Sequence, residues 1–328
     1  MTSPKGSVRK YIAITALYLC VALPCVAAVV EKTPASGKWP LPELQNPITI
    51  DVTDDSPPGL TQRLDTSKDY IIRFGKVTRE SITITGGRNI FIEGGQLVRP
   101  ADTPASDSRT GKRLKHHGVM LGVSGHTGTF YADGLLIDAN EQYGVDAIAV
   151  GAPPGKPAGD HIFQNIHIRG VQGTSKGLHA DGLQAVGTVN TLWLHNVTIV
   201  TGCQGIVIAP FWPLADVRLS NVNLRYTDPD YRNGKANGFL LWLGNGENTR
   251  EQIDSARYTF ENVYVAERTH YHSFTWADSS IAPGRKMPKP NMPYEKSADK
   301  LHFPEYNAKG YITRGHPPGG DFTLYYSN

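Results

Sequence analysis

LWLHNVTIV (residues 192–200) puts an apolar side chain at every second position on each side of Asn196, at Leu192 and Leu194 and at Val197 and Ile199. A period of 2 marks a β-strand with one buried face. Asn is among the few residues that tolerate the left-handed conformation of a sharp bend, so the stretch reads as two short strands hinged at Asn196. The phrase recurs as IFIEGGQLV (90–98), TFYADGLLID (129–138), IFQNIHIRG (162–170), VRLSNVNLRY (217–226) and YTFENVYVAE (258–267). Aligned, the copies put Gly95, Gly134, Asn165, Asn196, Asn221 and Asn262 in one column, at intervals of 39, 31, 31, 25 and 41 residues.

A further apolar run follows each phrase: HGVMLGV (117–123), DAIAVG (146–151), DGLQAVG (181–187), QGIVIAP (204–210), NGFLLWLG (237–244) and HSFTWAD (272–278). Three short strands per repeat of this length describe a parallel β-helix, a solenoid whose inward aliphatic residues stack repeat on repeat. Leu183 is expected to stack on Ile148 and Ile206. The uneven intervals place loops on some repeats, at 99–115, 151–160, 228–236 and 244–257. Loops of that length are often functional and could wall a groove.

Over residues 70–280 the repeat pattern and the stacked Asn column resemble the right-handed β-helix proteins of the pectate-lyase-like superfamily. The resemblance implies an all-β, right-handed coil. It also implies a carbohydrate ligand, because most soluble members cleave or bind polysaccharides; fold alone does not give function. Subfamily signatures are missing: there is no Asn-Thr-Asp, Arg-Ile-Lys or Trp-x-Asp-His, and the one Asp-Asp pair, Asp54-Asp55, precedes the repeats.

The ends read differently. Lys5, Arg9 and Lys10 precede an apolar run from Tyr11 to Leu23, and Val26-Ala27-Ala28 offers a cleavage site, so residues 1–28 read as a signal peptide. An uncleaved anchor over Tyr11–Val30 is the alternative. Cleavage leaves a periplasmic or secreted protein with no stable membrane insertion. Residues 29–65 are expected to cap the N-terminal end, 66–280 to form the β-helix, and the Pro-rich 281–328 to form an irregular tail. Of 328 residues, 34 are Gly and 23 Pro, as a turn-rich fold requires, and the net charge of +3 is too mild for a nucleic-acid partner. Cys20 and Cys25 fall in the signal, leaving Cys203 as a buried small hydrophobe.

LHADGLQ (178–184) concentrates polar residues at the start of one third strand. Gly182 aligns with Gly118, Gly205 and Gly238 as a shared turn position, with Ala147 and Ser273 in the same column. One place earlier stand His117, Asp146, Asp181, Gln204, Asn237 and His272; two places before those stand Lys115, Gly144, His179, Gly202, Lys235 and His270. Gln184 is expected to point outward beside Met120, Ala149 and Val207. At a strand spacing of about 4.8 Å these side chains would form one polar stripe. The plainer reading is that polar residues belong at turns.

Three functions fit the stripe. A lyase cleaving an acidic, uronate-containing polysaccharide by β-elimination needs a base, for which His179 is the candidate, and cations for the sugar carboxylate, from Lys235, Lys176 or Arg169. Asp146 and Asp181 could then share a Ca²⁺. A glycoside hydrolase would use the same two Asp residues as acid and base. A non-catalytic polysaccharide-binding or exopolysaccharide-assembly protein would use the groove alone. Gln184 and Gln204 would hold sugar hydroxyls in every case, with His117, Lys115, Asn237, His270 and His272 lining the groove. Trp212 is the expected stacking platform, whereas Trp242 and Trp276 read as core. No zinc-type cluster of His and Cys is expected.

Overall fold

The computed structural model describes residues 39, 41–101, 118–153, 156, 159–173, 179–210, 216–227, 238–243, 257–266, 274–276 and 301–302. Among these there are seventeen strands and no helix. The first four are β1 (Ile48–Val52), β2 (Tyr70–Phe74), β3 (Lys76–Thr78) and β4 (Ile82–Thr85). Each recurring phrase then forms one long strand: β5 (Ile90–Val98), β7 (Thr129–Asp138), β9 (Asp160–Val171), β11 (Thr191–Thr201), β13 (Asp216–Tyr226) and β15 (Arg257–Val265). The runs between them form β6 (Val119–Ser124), β8 (Asp146–Val150), β10 (Asp181–Gly187), β12 (Gln204–Pro210), β14 (Leu241–Leu243) and β16 (Phe274–Trp276), and β17 (Leu301–His302) comes last.

The long strands lie side by side in a ten-stranded sheet, β1-β2-β5-β7-β9-β11-β13-β15-β17 with β3 also on β5; the short ones form a seven-stranded sheet, β16-β14-β12-β10-β8-β6-β4. All strand pairs are parallel. From β4 to β16 the chain alternates between the two sheets. Parallel neighbours cannot be joined by tight hairpins, and this alternation is compatible with a β-solenoid. The expected stack holds: Leu183 is in register with Ile148 on one side and Ile206 on the other. These residues belong to one continuous buried core that runs from Val52 to Ala266 and includes Cys203, 2% exposed.

The hinge column is observed as predicted. Asn165, Asn196, Asn221 and Asn262 have φ of 54°, 51°, 53° and 53°, and Gly95 and Gly134 are also at positive φ. Each Asn amide donates to the Asn side chain of the preceding repeat at 3.1 Å, from Asn262 to Asn221 to Asn196 to Asn165. At Gly134 the column has no side chain, and Asn165 donates instead to Asp133 at 2.6 Å. Asn196→Ala should therefore cost about 2 kcal/mol, from the left-handed backbone and the lost amide bonds. Asn196→Gly, which relieves the backbone, should cost less. Equal losses in thermal melts would mean that the backbone conformation is not the driving preference.

One repeat escaped the sequence pattern. YIIRFGKVT (70–78) forms β2 and β3 with Gly75 at the bend, in register with Ile90–Ile92 and Gln96–Val98 of β5. The N-terminal segment, expected as a cap, also joins the repeats, since β1 extends the ten-stranded sheet. The tail returns to the repeats at β17, which pairs with Val263 and Tyr264.

Candidate functional site

Strand alternation sorts the polar residues of the third strand onto two faces. Leu183 and Ala185 face the core, so Asp181, two places before Leu183, shares their side and Gln184 takes the other. Asp181 is 2% exposed and its Oδ1 has no hydrogen-bond partner. Its backbone N–H donates to Asp146 Oδ1 at 2.8 Å, so the two residues meet on neighbouring repeats. Burial pushes Asp146 up to about 6, against the favourable hydrogen bond from the Asp181 N–H. Asp181 rises well above the usual carboxylate range through burial and then the nearby Asp146. Gln204, 3% exposed, is in register with Asp181 on the following repeat. His179 is exposed at the turn just before the pair.

The register departs from the expected column at two repeats. Val119, not His117, pairs with Asp146, and Leu241 pairs with Ile206. Gly118 and Gly238 therefore stand two places before the turn position held by Ala147, Gly182 and Gly205, and Gly122 rather than Met120 lies beside Ala149. Gly182 itself is structural: a Cβ there would stand 2.5 Å from Ile199 and 2.9 Å from the Gly205 carbonyl. Arg169 is engaged rather than free, since its Nε and Nη2 both donate to Asp138, at 2.9 and 2.7 Å. Lys115, His117, Lys176, Trp212, Lys235, Asn237, His270 and His272 lie outside the described residues.

The outer face of the seven-stranded sheet holds a different set. Thr83, Gly122, Ala149, Gln184, Val207 and Trp242 are in register, one per strand. Gln184 and Trp242 are both partly exposed, and Phe239 packs edge-on to Trp242 with ring centroids 5.6 Å apart. Trp242 is thus on the outer face and not, as expected, in the core, where Leu241 and Leu243 sit. Trp276 is in register with Leu243. Beside Gln184 the floor is a shallow groove of about 210 Å³ lined by small residues, among them Gly122, Ser124, Ala149 and Gly151.

A larger cleft, about 500 Å³, lies at the N-terminal end between residues 56–62 and 78–83. Its cation, Arg79, is committed to the carbonyls of Thr53, Asp54 and Ser56, so its walls present no free charged group of that kind. Asp146 and Asp181 are the two carboxylates expected to share a Ca²⁺, an ion that takes six to eight oxygens. Among the described residues no group of three His, Cys, Asp or Glu is placed to hold a metal. Compared with protein-family models, curated proteins and solved structures, the chain matches none of them.

Proposed function

We propose that this is an exported protein of the pectate-lyase-like kind, a closed right-handed solenoid, and that it binds a polysaccharide across the outer face of the seven-stranded sheet. The observation that supports this best is the row Gln184–Val207–Trp242, which sets an amide and an indole on the same face two strands apart, at about 9.6 Å, with Val207 between them. An indole face packs on the C–H face of a pyranose ring, and an amide both donates to and accepts from sugar hydroxyls. The floor of Gly122 and Ala149 lets a flat chain approach the sheet. The row carries no charged side chain, so a neutral glycan suits it better than the acidic one expected from sequence. Binding moves ahead of elimination for a second reason: Arg169 is spent on Asp138, and Asp181 faces away from Gln184.

Cleavage is the second reading, favoured by the burial that pushes Asp146 up to about 6 and Asp181 well above the usual carboxylate range. A raised pKa is what a glycoside hydrolase asks of its acid, and the exposed His179 beside the pair is the base that elimination would use.

Titration of the chain from residue 29 with neutral and acidic polysaccharides tests both. Trp242→Ala should weaken binding about tenfold, the loss of one well-packed aromatic contact. Gln184→Ala should weaken it less. Unchanged affinity in Trp242→Ala would remove the proposed face. The same mixtures are read for ultraviolet-absorbing unsaturated sugars and for new reducing ends. Products that vanish in His179→Ala would establish elimination, and products that vanish only in Asp181→Asn would establish hydrolysis.

A further inference from the structure

The ten-stranded sheet also has an outer face, and part of it is closed by a residue far away in sequence. Before the hinge, Phe91, Tyr131, Ile162, Trp193 and Arg218 are in register on successive strands and form an outward row. Two places on, Asp133, Gln164 and His195 form a polar row beside it. Trp39 lies over both. Its ring centroid is 5.5 Å from Trp193 and 5.5 Å from His195. Two hydrogen bonds hold its backbone: the Trp39 N–H donates to Gln164 Oε1 at 3.1 Å, and the Tyr131 hydroxyl donates to the Trp39 carbonyl at 2.9 Å. Trp39 belongs to no strand.

The contact is well packed and badly satisfied. Trp39 is 4% exposed and His195 1%, yet Trp39 Nε1 and both ring nitrogens of His195 have no hydrogen-bond partner. Each such buried group costs about 1–3 kcal/mol. Trp193, by contrast, is held firmly: its Nε1 donates to Asp216 at 3.0 Å, and the Arg218 guanidinium lies 4.1 Å over its ring. The site therefore combines a fixed indole platform with an adjacent imidazole that, when neutral, offers one donor and one acceptor with nothing to meet them. A ring that stacks on Trp193 and presents hydroxyls to His195 would satisfy what Trp39 leaves open.

We infer that the outer face around Trp193 and His195 is a second carbohydrate-binding surface, and that Trp39 occupies it as a removable cover. The ligand class is a neutral pyranose chain, which supplies a flat C–H face and paired hydroxyls. This surface is on the other sheet from Trp242 and does not depend on the function proposed there.

The test is made in a Trp242→Ala background, which weakens the first face. Cellohexaose, xylohexaose and mannohexaose are titrated by calorimetry into that protein with and without Trp39→Ala. The cover-free protein should bind at least one of them about tenfold more tightly, and adding Trp193→Ala should abolish the gain. Tyr131→Phe removes only the hydroxyl that holds the Trp39 carbonyl, and should give a smaller gain of the same preference. It decides the matter alone if Trp39→Ala does not fold by circular dichroism. No gain for any of the three sugars in a folded variant overturns the inference, as does a gain that survives loss of Trp193. Loss of binding in Trp242→Ala alone bears only on the first face.

Discussion

Asp69→Ala should unfold the N-terminal end of the sheet and lower global stability by about 3 kcal/mol, the lower end of the cost of breaking a buried ion pair from one side. The Asp69 side chain is fully buried and meets Arg88 in a fork, Oδ1 to Nε at 2.7 Å and Oδ2 to Nη2 at 2.8 Å. It also accepts the backbone N–H groups of Gln45, at 2.5 Å, and Asn89, at 3.1 Å. One carboxylate thus ties the incoming segment, the turn before β2 and the turn before β5 together. Removing it leaves donors from two segments unmet, at Gln45 and at Arg88–Asn89, although Arg88 is exposed enough to regain water. The Arg88 guanidinium and the backbone donors hold the Asp69 carboxyl down at about 2. Its contribution is therefore fully present above pH 3.8 and is lost as pH falls through about 2. Hydrogen exchange should show the Ile48 and Tyr70 amides opening first, because both pair with residues at this junction. Uniform loss of protection across the repeats would mean that the pair is not a local staple.

His161→Leu should raise stability, by about 1–3 kcal/mol at pH 7.5, through removing a buried group without a partner, and by more at pH 5. His161 sits in the inward row between Phe130 and Leu192, 1% exposed. His126, from the turn before β7, stands edge-on to it with ring centroids 4.6 Å apart. His126 Nε2 faces the Asp160 carbonyl at 3.1 Å, while its Nδ1 is unpartnered. The backbone at Thr191 and Gly159 favours a charged His161 slightly, yet neither of its ring nitrogens has a partner of good geometry. The Asp160 carboxylate also attracts a charged His126, but it already accepts bonds from Asn190 and Thr191. Burial holds both imidazoles below their ordinary value, and His126 depresses His161 further.

A base whose folded pKa is depressed stabilises fully above its unfolded value of 6.5 and progressively less as pH falls through the folded value. The Asp146–Asp181 pair has the opposite sign. Its raised pKa values stabilise below pH 3.8, and that contribution is lost as pH rises through about 6 for Asp146. In thermal melts from pH 4.5 to 8, His161→Leu should flatten the acid limb and Asp181→Asn the alkaline limb. Destabilisation of His161→Leu at every pH would show that the ring does have a partner.

The repeats were open to reading because their signals are local. A strand shows one face to the core through period 2, and a left-handed bend selects Asn or Gly whatever lies beyond it. That is why the column from Gly95 to Asn262 could be aligned without a structure. Register was harder at Gly118 and Gly238. A slip of one place would have exchanged the two faces, but a slip of two keeps every inward residue inward, and matching glycines invited it. Trp242 was misjudged for a related cause: in FLLWL every residue is apolar, so the alternation cannot be seen. The burial of Asp181 was implicit in its spacing from Leu183, although a polar residue at a turn suggests exposure.

Other features have no local signal at all. Trp39 meets Gln164 across 125 residues, and nothing near either residue announces the other. The unpartnered nitrogens of His161 and His195 likewise depend on what neighbouring repeats bring to them. Backbone preference and side-chain alternation act over one to three residues, and these settled the strands, the bends and the stacking of the core. Burial, ion pairing and proton affinity depend on contacts between repeats, so the partners of Asp69 and Arg169, the bond from the Asp181 N–H to Asp146 and the position of Trp39 over Trp193 emerged only once the sheets were assembled.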